Sequence, residues 1–211
     1  MPEIAGVRAP DSPLCRGATE LAQRVSEPFL FHHVMRSWVY AEWLGQRRGG
    51  KHDREVLYVA TVLHDLGLTQ LAPVRERFEV EGAEAAKAFL LRQGMAESRI
   101  ELVWDAIALH TTAGIPLRKS PEVSLCHQGI AHDVRGMSEE LTRAGVTKAV
   151  VSAYPVLGFR KGLLRTLVNL YEKNPAAAAS HAVSDACERQ VPGFRRFNLC
   201  DALMAREAAL D

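Results

Sequence analysis

The sequence has no Cys-x-x-Cys pair; its four cysteines stand apart at Cys15, Cys126, Cys187 and Cys200. That absence excludes a zinc ribbon and a thioredoxin-like motif, and such sparse usage fits a reducing compartment. Charge of one sign is missing too. Lys and Arg total 26 against 25 Asp and Glu, a formal net charge of +1. No strong overall field therefore steers the chain to nucleic acid or to an anionic membrane. The most basic local run, Gln46-Arg47-Arg48-Gly49-Gly50-Lys51, reads as a solvated loop. No stretch approaches the ~20 apolar residues that span a bilayer, and the first residues lack the apolar run of a signal peptide. The expectation is a cytoplasmic protein with no membrane and no nucleic-acid partner. A glycine-rich phosphate loop, a repeat of roughly 20–50 residues and strand-like alternation flanked by hairpin turns are also absent.

What the chain has is apolar residues at helical spacing. With 211 residues, 47% of them hydrophobic, it can bury one substantial core, and one domain is the natural reading. Residues 1–13 carry three prolines and little periodicity and read as an N-terminal tail or loop, followed by one helical domain over 14–211. Phe29–Gln46 is helical, with stop signals at Gly49-Gly50. Asp53 caps the next helix, apolar on almost every side and therefore central. Gly67 is expected to end it in a left-handed conformation. Further helices fit Glu79–Arg92, Ser98–His110 (where Ser98…Glu101 is a capping-box pattern), Pro121–Val134 and Val146–Tyr154. Gly158–Tyr171, Ala177–Gln190 and a last helix near Phe197–Ala208 complete an all-α architecture.

His-Asp occurs three times, at 52–53, 64–65 and 132–133. His52-Asp53 is explained by a loop and a helix cap. His64-Asp65 ends the most apolar helix, where a buried imidazole beside a buried carboxylate is costly unless something compensates both. A divalent cation does so by taking both as ligands, although a helix-end pair bonded to backbone is the alternative. Adjacent helical residues diverge by about 100°, so other helices must complete a coordination sphere. His33, Asp133 and His110 are polar intrusions among apolar neighbours and are eligible; His127 and His181 sit among more polar neighbours and are weaker candidates.

The order His…His-Asp…Asp resembles the HD superfamily of all-helical metal-dependent hydrolases. Within it, Glu27–Arg36 (EPFLFHHVMR), Ala60–Gly67 (ATVLHDLG), Arg77–Ala86 (RFEVEGAEAA) and Ala106–His110 (AIALH) resemble the cyanamide hydratase branch. Pro121-Glu122, Gly129…Asp133-Val-Arg-Gly136, Tyr154-Pro155, Lys173-Asn-Pro175 and Val191-Pro-Gly-Phe194 extend the likeness over about residues 25 to 200. The resemblance implies a single-domain HD-type helical bundle and metal ligands at His33, His64, Asp65 and Asp133. It further implies one divalent ion, with Zn favoured and Fe or Mn compatible with imidazole and carboxylate donors. Two departures stand out. His32 replaces a common Asn and competes with His33, which keeps the family's spacing to Arg36. Val156-Leu157 replaces a more usual charged residue after Tyr154-Pro155.

A bound divalent ion lowers the pKa of water toward neutrality and yields a nucleophile for a nitrile carbon or for phosphorus. Asp65 is the expected orienting base, and His110 the expected group for proton transfer or substrate. Arg36 and Glu79 join His110 as candidate substrate-binding residues. Arg36 more simply pairs with a ligand carboxylate, and Glu79 more simply favours a helix N-terminus. The implied function is metal-dependent hydration or hydrolysis of a small nitrogenous substrate, nitrile- or cyanamide-like. The alternatives are an HD-type phosphohydrolase or a metal-stabilised binding module without catalysis. The partner is a small molecule, and a homo-oligomer is left open.

Overall fold

Prolines and polar caps set the register of the helices. The computed structural model describes residues 3–49, 51–178 and 183–207. Gly50 and His181 therefore lie outside the described residues, as do the middle of the expected 177–190 helix and the end of the last one. The described helices are α1 (Pro13–Val25), α2 (Pro28–Arg47), α3 (Arg54–Leu63), α4 (Phe78–Arg92), α5 (Glu97–Ala108) and α6 (Pro121–Arg135). After them come α7 (Glu139–Arg143), α8 (Val146–Ala153), α9 (Phe159–Lys173), α10 (Pro175–Ala178), α11 (Ser184–Gln190) and α12 (Leu199–Glu207). No strand occurs among the described residues, only an isolated bridge between Ile4 and Val7. None of the described helices is long and apolar enough to cross a membrane. The fold is all-α.

Pro13, Pro28 and Pro121 each open a helix, where the missing N–H costs nothing and the fixed φ is already helical. Helix α2 is buried from Phe29 to Gly45 save for two positions, and α3 is buried from Val56 to Leu63. These two, with α5 and α6, form the centre. Helix α6 lies against α2 so closely that a Cβ on Gly129 would stand 2.4 Å from the Ser37 carbonyl oxygen. A second apolar cluster joins Phe29, Leu68 and Phe78 to Phe159, Leu167 and Tyr171, fastening α9 over the open end of the first.

Some details differ from the sequence reading. Residues 3–12 form no helix, yet Ile4 and Val7 among them are buried in the core. Helix α5 begins at Glu97 after Ala96, with no side-chain cap, so Ser98 lies inside its first turn and makes no capping box. Helix α3 stops at Leu63, earlier than expected, and Gly67 falls in a short 3-10 turn over Leu66–Leu68. Gly67 is not among the residues of positive φ. It is required for a different reason, because a Cβ there would meet the Phe78 carbonyl oxygen at 1.8 Å. Asp53 caps α3 as expected, accepting from the N–H groups of Glu55 and Val56. His52 is more than a loop residue: its Nε2 lies 2.8 Å from the buried Glu42 carboxylate, which also accepts from Arg54. The loop before α4 is held by Glu81, which accepts from the backbone N–H groups of Val74, Arg75 and Glu76.

Candidate metal centre

Side chains from three helices converge beneath α9. His33 projects from the second turn of α2, His64 and Asp65 follow the last residue of α3, and His110 follows α5. Each needs a neighbouring element because none can close a site alone. His33 Nε2 stands 3.2 Å from His64 Nε2, and Asp65 Oδ2 lies 3.2 Å from His64 Nε2 and 3.6 Å from His33 Nε2. These three residues offer ligand atoms within 4.8 Å of one another, all from buried positions.

The far nitrogens decide which atoms are available. His64 Nδ1 lies 2.8 Å from the Thr61 carbonyl, and His110 Nδ1 lies 2.7 Å from that of Ile107. A carbonyl only accepts, so both Nδ1 atoms carry hydrogen. His33 Nδ1 donates likewise to Asp133 Oδ2 at 2.6 Å. In neutral rings the Nε2 atoms are then lone-pair donors. Two lone pairs and a carboxylate crowded into one buried spot repel unless positive charge sits among them. The titration behaviour agrees. Burial opposes a charged His64, yet Asp65 beside it raises its pKa. Burial would raise Asp65, yet His64, followed by His33 and His110, holds it far below the usual carboxylate range. The cluster calls for positive charge, and its donors fit a divalent transition ion, whose ligand imidazoles characteristically give their other N–H to a carbonyl or carboxylate.

Asp133 lies one step behind. Its two oxygens accept from Arg36 Nε and Nη2, each at 2.7 Å, while Oδ2 also takes the His33 proton. These bonds hold its carboxyl at about 2 against the pull of burial. The structure thus gathers His33, His64 and Asp65 directly and brings Asp133 against the back of His33. Arg36 spends its remaining donor on the Tyr154 and Pro155 carbonyls. It does not line the cavity in front of the cluster, and neither does Glu79. Glu79 is buried, accepting from Thr111 and from Arg77 at 3.1 Å. His110 does line that cavity, with its ring edge-on to His64 at 4.8 Å. Burial above all pushes its pKa down to about 4, so its Nε2 keeps a lone pair at neutral pH. His32 turns the other way, to the Pro155 carbonyl at 2.9 Å.

Sequence reasoning missed the residues that steady these groups. Phe159 stacks on the His33 ring at 4.3 Å, and the Arg36 guanidinium lies over the Phe159 ring, 5.6 Å from its centroid. His127 donates from Nδ1 to the His110 carbonyl at 2.7 Å, which gives that buried histidine a structural partner. Contacts between residues so distant in sequence leave no local pattern to read. Only His127 stood out in the sequence, as a weaker candidate ligand, and the structure gives it this other partner.

No curated protein matches the chain. The HD domain family does, over residues 30–145, a stretch that begins before His33 and ends beyond Asp133. HD domains bind divalent metals and are, as a class, metal-dependent hydrolases. Because that match spans more than half of the sequence and encloses the whole cluster, the chain belongs to the HD domain family.

Proposed function

We propose that this chain is a metal-dependent hydrolase or hydratase acting on a small nitrogenous compound, of nitrile or cyanamide type, as in the branch its sequence resembles. The observation that carries the reading is the convergence of His33 Nε2, His64 Nε2 and Asp65 Oδ2 with each ring locked by its other nitrogen. His33, His64 and Asp65 would hold the ion, Zn being our choice of metal. When bound, such an ion supplies Lewis acidity and water acidic enough to ionise near neutral pH. Asp133 belongs to the same centre. In the present geometry it orients His33, and direct ligation would require an oxygen released from Arg36.

The protein's own groups do the rest. The second oxygen of Asp65 is the acceptor we assign for the water proton. His110, with its Nδ1 proton given to the Ile107 carbonyl, presents a lone pair at Nε2 and is suited to accept a hydrogen bond from a substrate N–H group. Among the described residues lining the cavity, Arg135 is the one arginine or lysine, and it is exposed. This favours the nitrogenous substrate over a phosphoester, whose recognition draws on convergent cationic donors. Arg36 and Glu79 act, in this proposal, through the groups they hold.

The test is elemental analysis of the purified protein together with two assays: ammonia or urea from nitriles and cyanamide, and phosphate from nucleotides. Metal-dependent release of ammonia or urea is expected. Phosphate release without it would overturn the substrate class, and a protein that takes up no divalent metal would overturn the centre.

A further inference from the structure

The cavity in front of the cluster is lined from two parts of the chain, mostly from the matched stretch and partly from beyond it. Its floor is His33, His64, Asp65 and His110, all inside the stretch that matches the HD family. Leu163 and Leu167 of α9 and Val183, just before α11, also line the cavity, all beyond residue 145 where that match ends. Leu163 and Leu167 are four residues apart, so they stand on one helix face. Val134 of α6 and Phe78 of α4 close the sides. The space is about 400 Å³, within the range of about 300–1,000 Å³ typical of small-molecule sites. A water takes up only ~30 Å³ of liquid, and cyanamide, a single carbon between two nitrogens, would leave most of the space empty. Water against Leu163, Leu167, Val183 and Val134 would find few polar partners, so an apolar group displaces it at a gain.

Resting on the hydrolase reading above, we infer that the substrate carries an apolar body, a short alkyl chain or ring, behind its polar reacting head. The head meets the histidine and aspartate cluster. The body lies against Leu163, Leu167 and Val183, so that α9 and the start of α11 set the specificity of a reaction carried out by α2, α3 and α5. The lining combines the histidine and aspartate cluster with apolar side chains from α4, α6 and α9, and the charged groups it adds, Arg135 and Asp185, are exposed. Such a combination selects an amphiphilic molecule and disfavours a uniformly polar one, whose buried groups would go unpaired against leucine.

Binding tests this without turnover. The zinc-loaded full chain is titrated calorimetrically with straight-chain primary amides from acetamide to hexanamide. Each added methylene is expected to tighten binding about fourfold until the cavity is full. Leu163→Gln should reduce the increment to about twofold, and Leu163→Ala should weaken hexanamide more than acetamide. Leu164→Gln, at an exposed position outside the cavity, should leave the series unchanged. If Leu163→Gln does not fold, the alanine variant alone decides. Affinity independent of chain length, no binding by any amide, or a steep series unaffected at Leu163 would each overturn the inference. A steep series beside absent nitrile and cyanamide turnover would sink the proposed chemistry and leave apolar recognition standing; turnover with a flat series would do the reverse.

Discussion

Replacing Gly67 by alanine adds one methyl group where two backbones nearly touch. The new Cβ would lie 1.8 Å from the Phe78 carbonyl oxygen, 2.7 Å from its carbon and 3.0 Å from the Gly82 nitrogen, whereas ordinary contact begins at 3.4 Å. Relief requires the 3-10 turn and the start of α4 to part by roughly 1.5 Å, because backbone, unlike a side chain, cannot rotate away. Overpacking costs about 1–3 kcal/mol when side chains yield, and an obstacle made of backbone places Gly67→Ala at the top of that range, about 3 kcal/mol. With an m-value of roughly 2–3 kcal/mol per molar urea, the unfolding midpoint should fall by about 1 M or more. The same chemical change at Gly17 serves as the comparison. There, inside α1, the Cβ would meet Phe89 of α4 at 3.5 Å, an ordinary contact. Helix propensity then dominates, and Gly17→Ala should gain up to about 1 kcal/mol. Metal content should fall only in the Gly67 variant, since His64 and Asp65 lead directly into the displaced turn. A Gly67→Ala midpoint within about 0.3 M of the parent would refute the claim that close backbone approach, and nothing else, demands this glycine.

Three further outcomes are expected. His64→Ala and Asp65→Ala should each abolish divalent metal binding by elemental analysis, whereas His52→Ala should retain the metal and lose stability by roughly 1–3 kcal/mol as buried Glu42 loses a partner; full metal content in either of the first two would undo the assignment. Asp133→Asn should destabilise the fold by about 3 kcal/mol at neutral pH because it leaves Arg36 buried and unpaired. Since the folded pKa of Asp133, about 2, lies below its ordinary 3.8, its stabilisation is complete above 3.8 and is lost as pH falls toward 2. The Asn variant should therefore show a flatter stability profile across that window, and an unchanged acid limb would refute the pairing. His110→Ala should keep its metal while activity drops by about 10²–10⁴-fold; a parallel loss of metal would make His110 a ligand.

The sequence made the helices legible wherever their starts are chemical and their faces apolar. Pro121 and Asp53 mark starts that the structure keeps, and the apolar run 56–63 predicted a central helix correctly. The start of helix α5 resisted because Ser98 has the right neighbour in Glu101 but sits two residues past the N-cap, Ala96. Helix α7, five residues long, is too short to show a period. In the cluster, His33, His64 and Asp65 were visible as polar residues in apolar surroundings. Arg36 was visible as their neighbour by spacing, and its bidentate grip on Asp133 follows the pairing considered most natural for it. What stayed hidden depends on distance along the chain. The stack of Phe159 on His33 and the cavity lining given by Leu163 and Leu167 come from a helix whose own pattern is that of any amphipathic helix.

The hydrogen bonds behind the three imidazoles also bear on the order in which the centre assembles. His64 and His110 give their Nδ1 protons to carbonyls three residues back in their own chain, at Thr61 and Ile107. Those rings are set once a single turn of helix forms, an event of microseconds or less. His33 has no such local partner and depends on Asp133, one hundred residues away. Its orientation must wait for loop closure and the docking of α6 on α2, the slow, non-local part of folding. A chain refolding beside zinc should consequently gain helical signal well before it gains tight metal, with uptake following the burial of the α2–α6 contact.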